Sequence, residues 1–148
     1  TDDYFMISVE MAHDARIVPL FASAAQARAN TRPVVHSPWF GDSRGWYEGD
    51  TLVVETVNIN PLQMSQSSIP ISSEGKFVER FSRYSDTEIV YQFTVDDANL
   101  YSQPWTAEMS YHETEGPLYE YACHEGNYGM MNILSGHRIE EARLADND

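Results

Sequence analysis

Apolar and β-branched residues recur at every second position through most of this chain, and the run that shows it best is Gly41–Asn60, GDSRGWYEGDTLVVETVNIN. Ser43–Glu48 predicts a strand, Gly49-Asp50 a tight turn, and Thr51–Ile59 a longer strand rich in β-branched side chains. Glycine and aspartate tolerate the positive backbone dihedrals that a short hairpin connection needs. Val53, Glu55, Val57 and Ile59 share one face of the second strand, and Leu52, Val54, Thr56 and Asn58 share the other. Both faces are largely apolar, so neither is expected to be fully solvated. A carboxylate at Glu55 therefore predicts either a barrel mouth or a buried partner such as Arg44, Arg80 or Arg83.

The same alternation sets the rest of the chain. Tyr4–Glu10 reads as a first strand, and MAHDARIVPL as a bend at His13-Asp14 leading into a second. The alanine-rich Phe21–Arg32 predicts a short helix or excursion, stopped by Pro33. Val34–Phe40 is an extended lead into the central hairpin, and the serine- and proline-containing Asn60–Gly75 a long loop. Lys76–Arg83 and Glu88–Val95 form a second hairpin, with Ile89, Tyr91, Phe93 and Val95 on one face. Pro104–His112 continues the pattern, with Trp105, Ala107, Met109 and Tyr111 on its apolar face and Glu108 opposite. Leu118–Cys123 predicts a last strand, and Gly126–Leu144 a terminal helix containing Gly129 and Gly136. The expected fold is all-β: an antiparallel β-barrel or sandwich of about eight strands with a C-terminal helix.

At 148 residues the chain suits one domain. Its net charge of −14 argues against nucleic acid or an anionic membrane surface as partner. Cys123 is the single cysteine, which excludes an intrachain disulfide and a cysteine-based zinc site. No apolar run approaches the ~20 residues of a membrane-spanning helix. A first residue of Thr1 rather than Met suggests a processed or trimmed start.

MAHDARIVPL, GDSRGWYEGDTLVVETVNIN, FVERFSR, QPWTAEM and YEYACHEGNYGM together resemble an uncharacterised family of exported bacterial proteins. In that family the matching region is usually the later part of a longer, signal-bearing polypeptide. The resemblance implies a periplasmic or secreted location and carries no catalytic residues with it. The chain departs from the family at Phe21–Val35, where the alanine-rich stretch replaces a proline-rich link. WYEGDTLVVE also resembles the hairpins of calycin-type (lipocalin-like) barrels, a likeness of fold alone.

Two clusters concentrate groups able to move protons. The first is His13-Asp14-Ala15-Arg16: a carboxylate beside an imidazole sets its tautomer, and an arginine can clamp an anion. The alternative is a bend whose arginine pairs with Glu10 or Glu55. The second runs from Tyr119 to Tyr128 at a strand end, where His124 and Glu125 stand beside Tyr121. Its alternative is a helix cap with tyrosines packed in the core. The histidines form neither HxH nor HExxH, so no metal site is expected, and no cofactor motif occurs. Glu55, Glu79 and Glu108 sit on partly apolar strands, where desolvation can raise a carboxyl pKa; pairing with arginine is preferred for Glu79.

The expected function is therefore a pocket for a small, partly apolar or aromatic molecule, with cofactor-free acid–base chemistry (isomerase, lyase or cyclase type) if it is an enzyme. His124, Glu125, Asp14 and His13 are the candidate catalytic residues. Arg16, Glu55, Tyr91, Glu108, Tyr121 and Tyr128 are the candidate substrate-binding residues. The other expectation is a non-catalytic accessory subunit that docks on an exported protein partner.

Overall fold

The computed structural model describes residues 1–9, 14–36, 38–64, 68–117, 126 and 128–145. The described chain is mostly β. Its elements are β1 (Tyr4–Ser8), β2 (Ala15–Pro19), α1 (Ala24–Ala29), β3 (Asp42–Glu48), β4 (Thr51–Val57), α2 (Pro61–Met64), β5 (Lys76–Arg83), β6 (Glu88–Asp96), β7 (Trp105–His112) and α3 (Gly129–Ala145). Strands β3 to β7 form one antiparallel meander in chain order, and β1 with β2 forms a separate antiparallel hairpin. The chain divides into two compact units, Thr1–Ser8 with Ala15–Pro117, and Val9–Asp14 with Leu118–Asp148.

The described strands do not close into a barrel. Strands β3 and β7 are the two ends of the meander, and β3 meets β2 through one parallel bridge, Leu20 to Gly45. The bridge needs a glycine. A Cβ at Gly45 would lie 2.8 Å from Leu20 Cδ2 and 3.2 Å from Val18 Cγ1, so β2 crosses where β3 has no side chain. The central hairpin forms as its residues dictate: Gly49 alone of the turn pair takes a positive φ, 61°, as a type II′ connection asks of its first residue.

Alternation along each strand separates two faces. On one, Phe77, Phe81, Tyr91, Phe93 and Trp105 stack across β5, β6 and β7, with ring centroids 4.9 to 5.6 Å apart. The hairpin covers part of this face, where Val18 packs on Leu52 and Val54 beside Phe5. Ile59 and Ile71 cover another part, against Tyr91, Phe93 and Val95. The opposite face is capped at β3 and β4 by α1, whose Ala27 packs on Trp46 and Val53. Small side chains let this helix lie close to the sheet. Ser23 caps it by accepting from Gln26 N–H at 3.3 Å, and Asn30 ends it. The alanine-rich excursion is thus a docked helix.

In the second unit, α3 begins at Gly129, and Asn132 N–H donates to Tyr128 O at 2.9 Å. None of its residues is buried. The predicted strand Leu118–Cys123 lies outside the described residues.

Candidate functional site

Strands β2 and β3 run parallel through the Leu20–Gly45 bridge. A pocket of about 170 Å³ opens beside that bridge, lined by Ala15–Ile17 and Pro19 of β2, by Pro38–Ser43, and by Arg32. That volume is comparable to a cavity that holds one benzene ring. Its outer wall is a turn, in which Gly41 N–H donates to Pro38 O at 2.9 Å and Gly41 takes a φ of 71°. The turn presents Trp39, 43% exposed, together with Phe40.

Two guanidinium groups stand in this wall, and they are held differently. Arg16 points inward from β2 to Glu79, which is 4% exposed on β5. Its Nη2 lies 2.8 Å from Glu79 Oε1 and 2.7 Å from Oε2. Tyr91 O–H donates to the same Oε1 at 3.0 Å. Burial, then the Glu79 charge, pushes the Tyr91 phenol well above its ordinary value, and Tyr111 is raised by the same two causes. Arg16 Nε is buried and donates to nothing in the described structure.

Arg32 is anchored by its main chain, and its exposed side chain makes only a long ion pair among the described residues. Its N–H donates to Asp42 Oδ2 at 2.8 Å, and its carbonyl accepts from Asn58 Nδ2 at 3.0 Å. Asn58 sits at a left-handed φ of 54°, a conformation asparagine tolerates better than most residues. The Arg32 side chain is 61% exposed, and its Nε is 3.8 Å from Asp42 Oδ1. Asp42 has a closer partner in buried Arg44, whose Nη2 bonds Oδ2 while Nη1 donates to Thr31 Oγ1 at 2.8 Å. Charges in the site therefore pair off as Arg16 with Glu79 and Arg44 with Asp42. Arg32 is left as the surplus positive charge at the mouth.

His13, Tyr121, His124 and Glu125 lie outside the described residues. Asp14 belongs to the second unit, where its carbonyl accepts from Val9 N–H at 2.9 Å. Tyr128 is exposed at the start of α3. Arg16 and Tyr91 do converge, on Glu79. The arginine pairing preferred for Glu79 is present, with Arg16 as the partner. Glu55 binds Arg28 of α1, whose Nε and Nη2 donate at 3.2 and 2.9 Å and whose Cζ lies 5.5 Å from the Trp46 ring centre. Glu108 does not point inward: it is exposed and accepts from Gln92 Nε2 at 3.4 Å.

Sequence reasoning missed Arg32, Trp39, Phe40 and Asp42. The one signal for them was the run Pro38-Trp39-Phe40-Gly41, which carries turn chemistry and two large aromatics. Among the described residues no group of histidine, cysteine and carboxylate side chains could hold a metal ion. Nor is any described helix long and apolar enough to cross a membrane. Compared with known proteins, the chain matches no family, no curated protein and no solved structure.

Proposed function

We propose that this chain is a binding domain for a small carboxylate, or a comparable anion, with an apolar body, taken up between β2 and the Pro38–Ser43 turn. The observation that carries the reading is Arg32: it lines the pocket with a side chain 61% exposed, the surplus positive charge of the site, beside Trp39 and Phe40. The ligand's carboxylate pairs with Arg32, and Trp39, Phe40 and Ile17 receive the apolar part. Binding is favoured over catalysis because the described wall holds no histidine, and its one carboxylate, Asp42, is tied to Arg44. The hairpin over the meander suits a two-layer sandwich with a lateral notch better than a barrel mouth. An exported setting is part of the proposal and rests on the family phrases quoted above.

Titration calorimetry with benzoate, phenylacetate and hexanoate, each against its neutral amide, tests the reading. Acids should bind and amides should bind at least about tenfold more weakly, as expected for a lost charged hydrogen bond. Trp39 fluorescence should report the same saturation. Equal binding of acid and amide, or no binding of any acid, removes the proposal.

A further inference from the structure

The β1–β2 hairpin is apolar on both of its faces. Phe5, Val18 and Arg16 belong to the face turned to the meander, where Val18 is fully buried and Arg16 reaches Glu79. The outer face therefore carries the alternate pairs, Tyr4 opposite Pro19, Met6 opposite Ile17 and Ser8 opposite Ala15. Tyr4 is 53% exposed, Met6 62% and Ile17 63%. None of those six residues is charged, whereas the water-facing side of an antiparallel hairpin is ordinarily polar. The strip is continuous with the pocket, because Ala15, Ile17 and Pro19 line the pocket too. Across the pocket stand Trp39, Phe40 and the exposed guanidinium of Arg32. At the other end of the strip, exposed Asp2 and Asp3 directly precede Tyr4.

An apolar strip with a cation at one border and carboxylates at the other selects the direction of a ligand as well as its chemistry. An anionic head is drawn to Arg32 and repelled from the Asp2-Asp3 end. A compact body that fills only the pocket of about 170 Å³ leaves Met6 and Tyr4 in water. A linear chain continues from Ile17 onto its cross-strand partner Met6. The outer faces of β2 and β1 span about 10 Å at one strand spacing each, a distance that an extended medium-length acyl chain covers. We propose that the ligand is a straight medium-chain carboxylate. Its head pairs with Arg32, its first methylenes lie against Trp39, Phe40 and Ile17, and its tail is laid across Met6 toward Tyr4. The inference rests on the anion-binding reading above and narrows its ligand from any small apolar acid to a linear one.

The test is titration calorimetry on the full chain with hexanoate, octanoate and decanoate, and with adamantane-1-carboxylate as a compact acid of similar carbon number. Affinity should rise about tenfold or more from hexanoate to decanoate, and adamantane-1-carboxylate should bind no more tightly than hexanoate. Met6→Ser, a change at an exposed position, should cut the gain from hexanoate to decanoate to about threefold or less. Arg32→Ala should weaken all three linear acids by about tenfold. In methyl NMR of methionine-labelled protein, the Met6 methyl should move on adding decanoate and stay in place with hexanoate. A flat series, a gain unchanged in Met6→Ser, or a Met6 methyl unmoved by saturating decanoate overturns the proposal. If hexanoate and benzoate bind and the series is flat, the linear-chain proposal falls and the small-carboxylate reading stands. If no acid binds, both fall. A dimer in sedimentation that Met6→Ser dissociates would assign the strip to a second copy of this chain and likewise overturn the proposal.

Discussion

Both faces of the meander bury a glutamate against an arginine, and the contrast between the two pairs separates a site from a fastening. On the hairpin side, Glu79 and Arg16 are both withdrawn from water among Phe81, Tyr91 and Phe93, with a buried nitrogen left over. On the helix side, Glu55 is as deeply placed, but Arg28 keeps a side chain 59% exposed and lies over Trp46. Desolvating both partners of an ion pair usually costs more than an apolar pair of the same volume. A pair held that way beside a pocket suits a guanidinium that must stay in one orientation. A pair with one wet partner suits a clasp for α1, where the arginine gives up little hydration.

The largest expected effect comes from breaking the drier pair. Glu79→Ala leaves Arg16 buried and uncompensated and should lower stability by about 3–5 kcal/mol in urea unfolding. Replacing both, Arg16→Met with Glu79→Leu, should recover that loss or exceed it by about 1–4 kcal/mol. A double variant as unstable as the single one would mean that the pair holds up the face and does not serve the pocket. Gly45→Ala should cost about 1–3 kcal/mol by overpacking against Leu20 and Val18, read as a lower urea midpoint with an unchanged slope. Glu55→Ala leaves Arg28 able to hydrate and should cost less than Glu79→Ala, about 1–2 kcal/mol. Parity between those two variants would erase the distinction drawn here.

The smallest effect is one of pH. Tyr91 holds its proton more tightly folded than unfolded, because of burial and the neighbouring Glu79 charge. Above about pH 10, the ordinary tyrosine value, the unfolded chain releases a proton that the folded chain retains. Stability that is complete below that pH is therefore lost as pH rises further. Tyr91→Phe should cost about 1 kcal/mol at neutral pH through the lost bond to Glu79. It should also flatten the alkaline decline, which unfolding curves between pH 8 and 11 would show.

Much of the architecture was legible in the sequence because it is local. Period-two alternation and a Gly-Asp turn suffice to place β3 and β4, and Lys76–Arg83 falls on β5 to the residue. Partner choice was not legible. Glu55 finds Arg28 and Glu79 finds Arg16 because α1 and the hairpin lie over the sheet, which no spacing along the chain encodes. Closure of the sheet was not legible either: among the described strands the meander stays open, and Gly45 admits Leu20 at the edge of β3 through a long-range contact. Arg16 was singled out as an anion clamp from its neighbours His13 and Asp14, yet the residue that fixes it is Glu79. Arg32 and Trp39 were passed over because a turn and its approach carry no periodic signal.

Every strand junction inside the meander and inside the hairpin links neighbours in the chain, whereas the Leu20–Gly45 bridge joins the two sheets. The meander can therefore assemble from short-range closures alone, with the hairpin arriving afterwards. Substitutions at Leu20 or Gly45 should then leave the rate of folding nearly untouched and accelerate unfolding, the kinetic mark of a contact made after the barrier has been crossed.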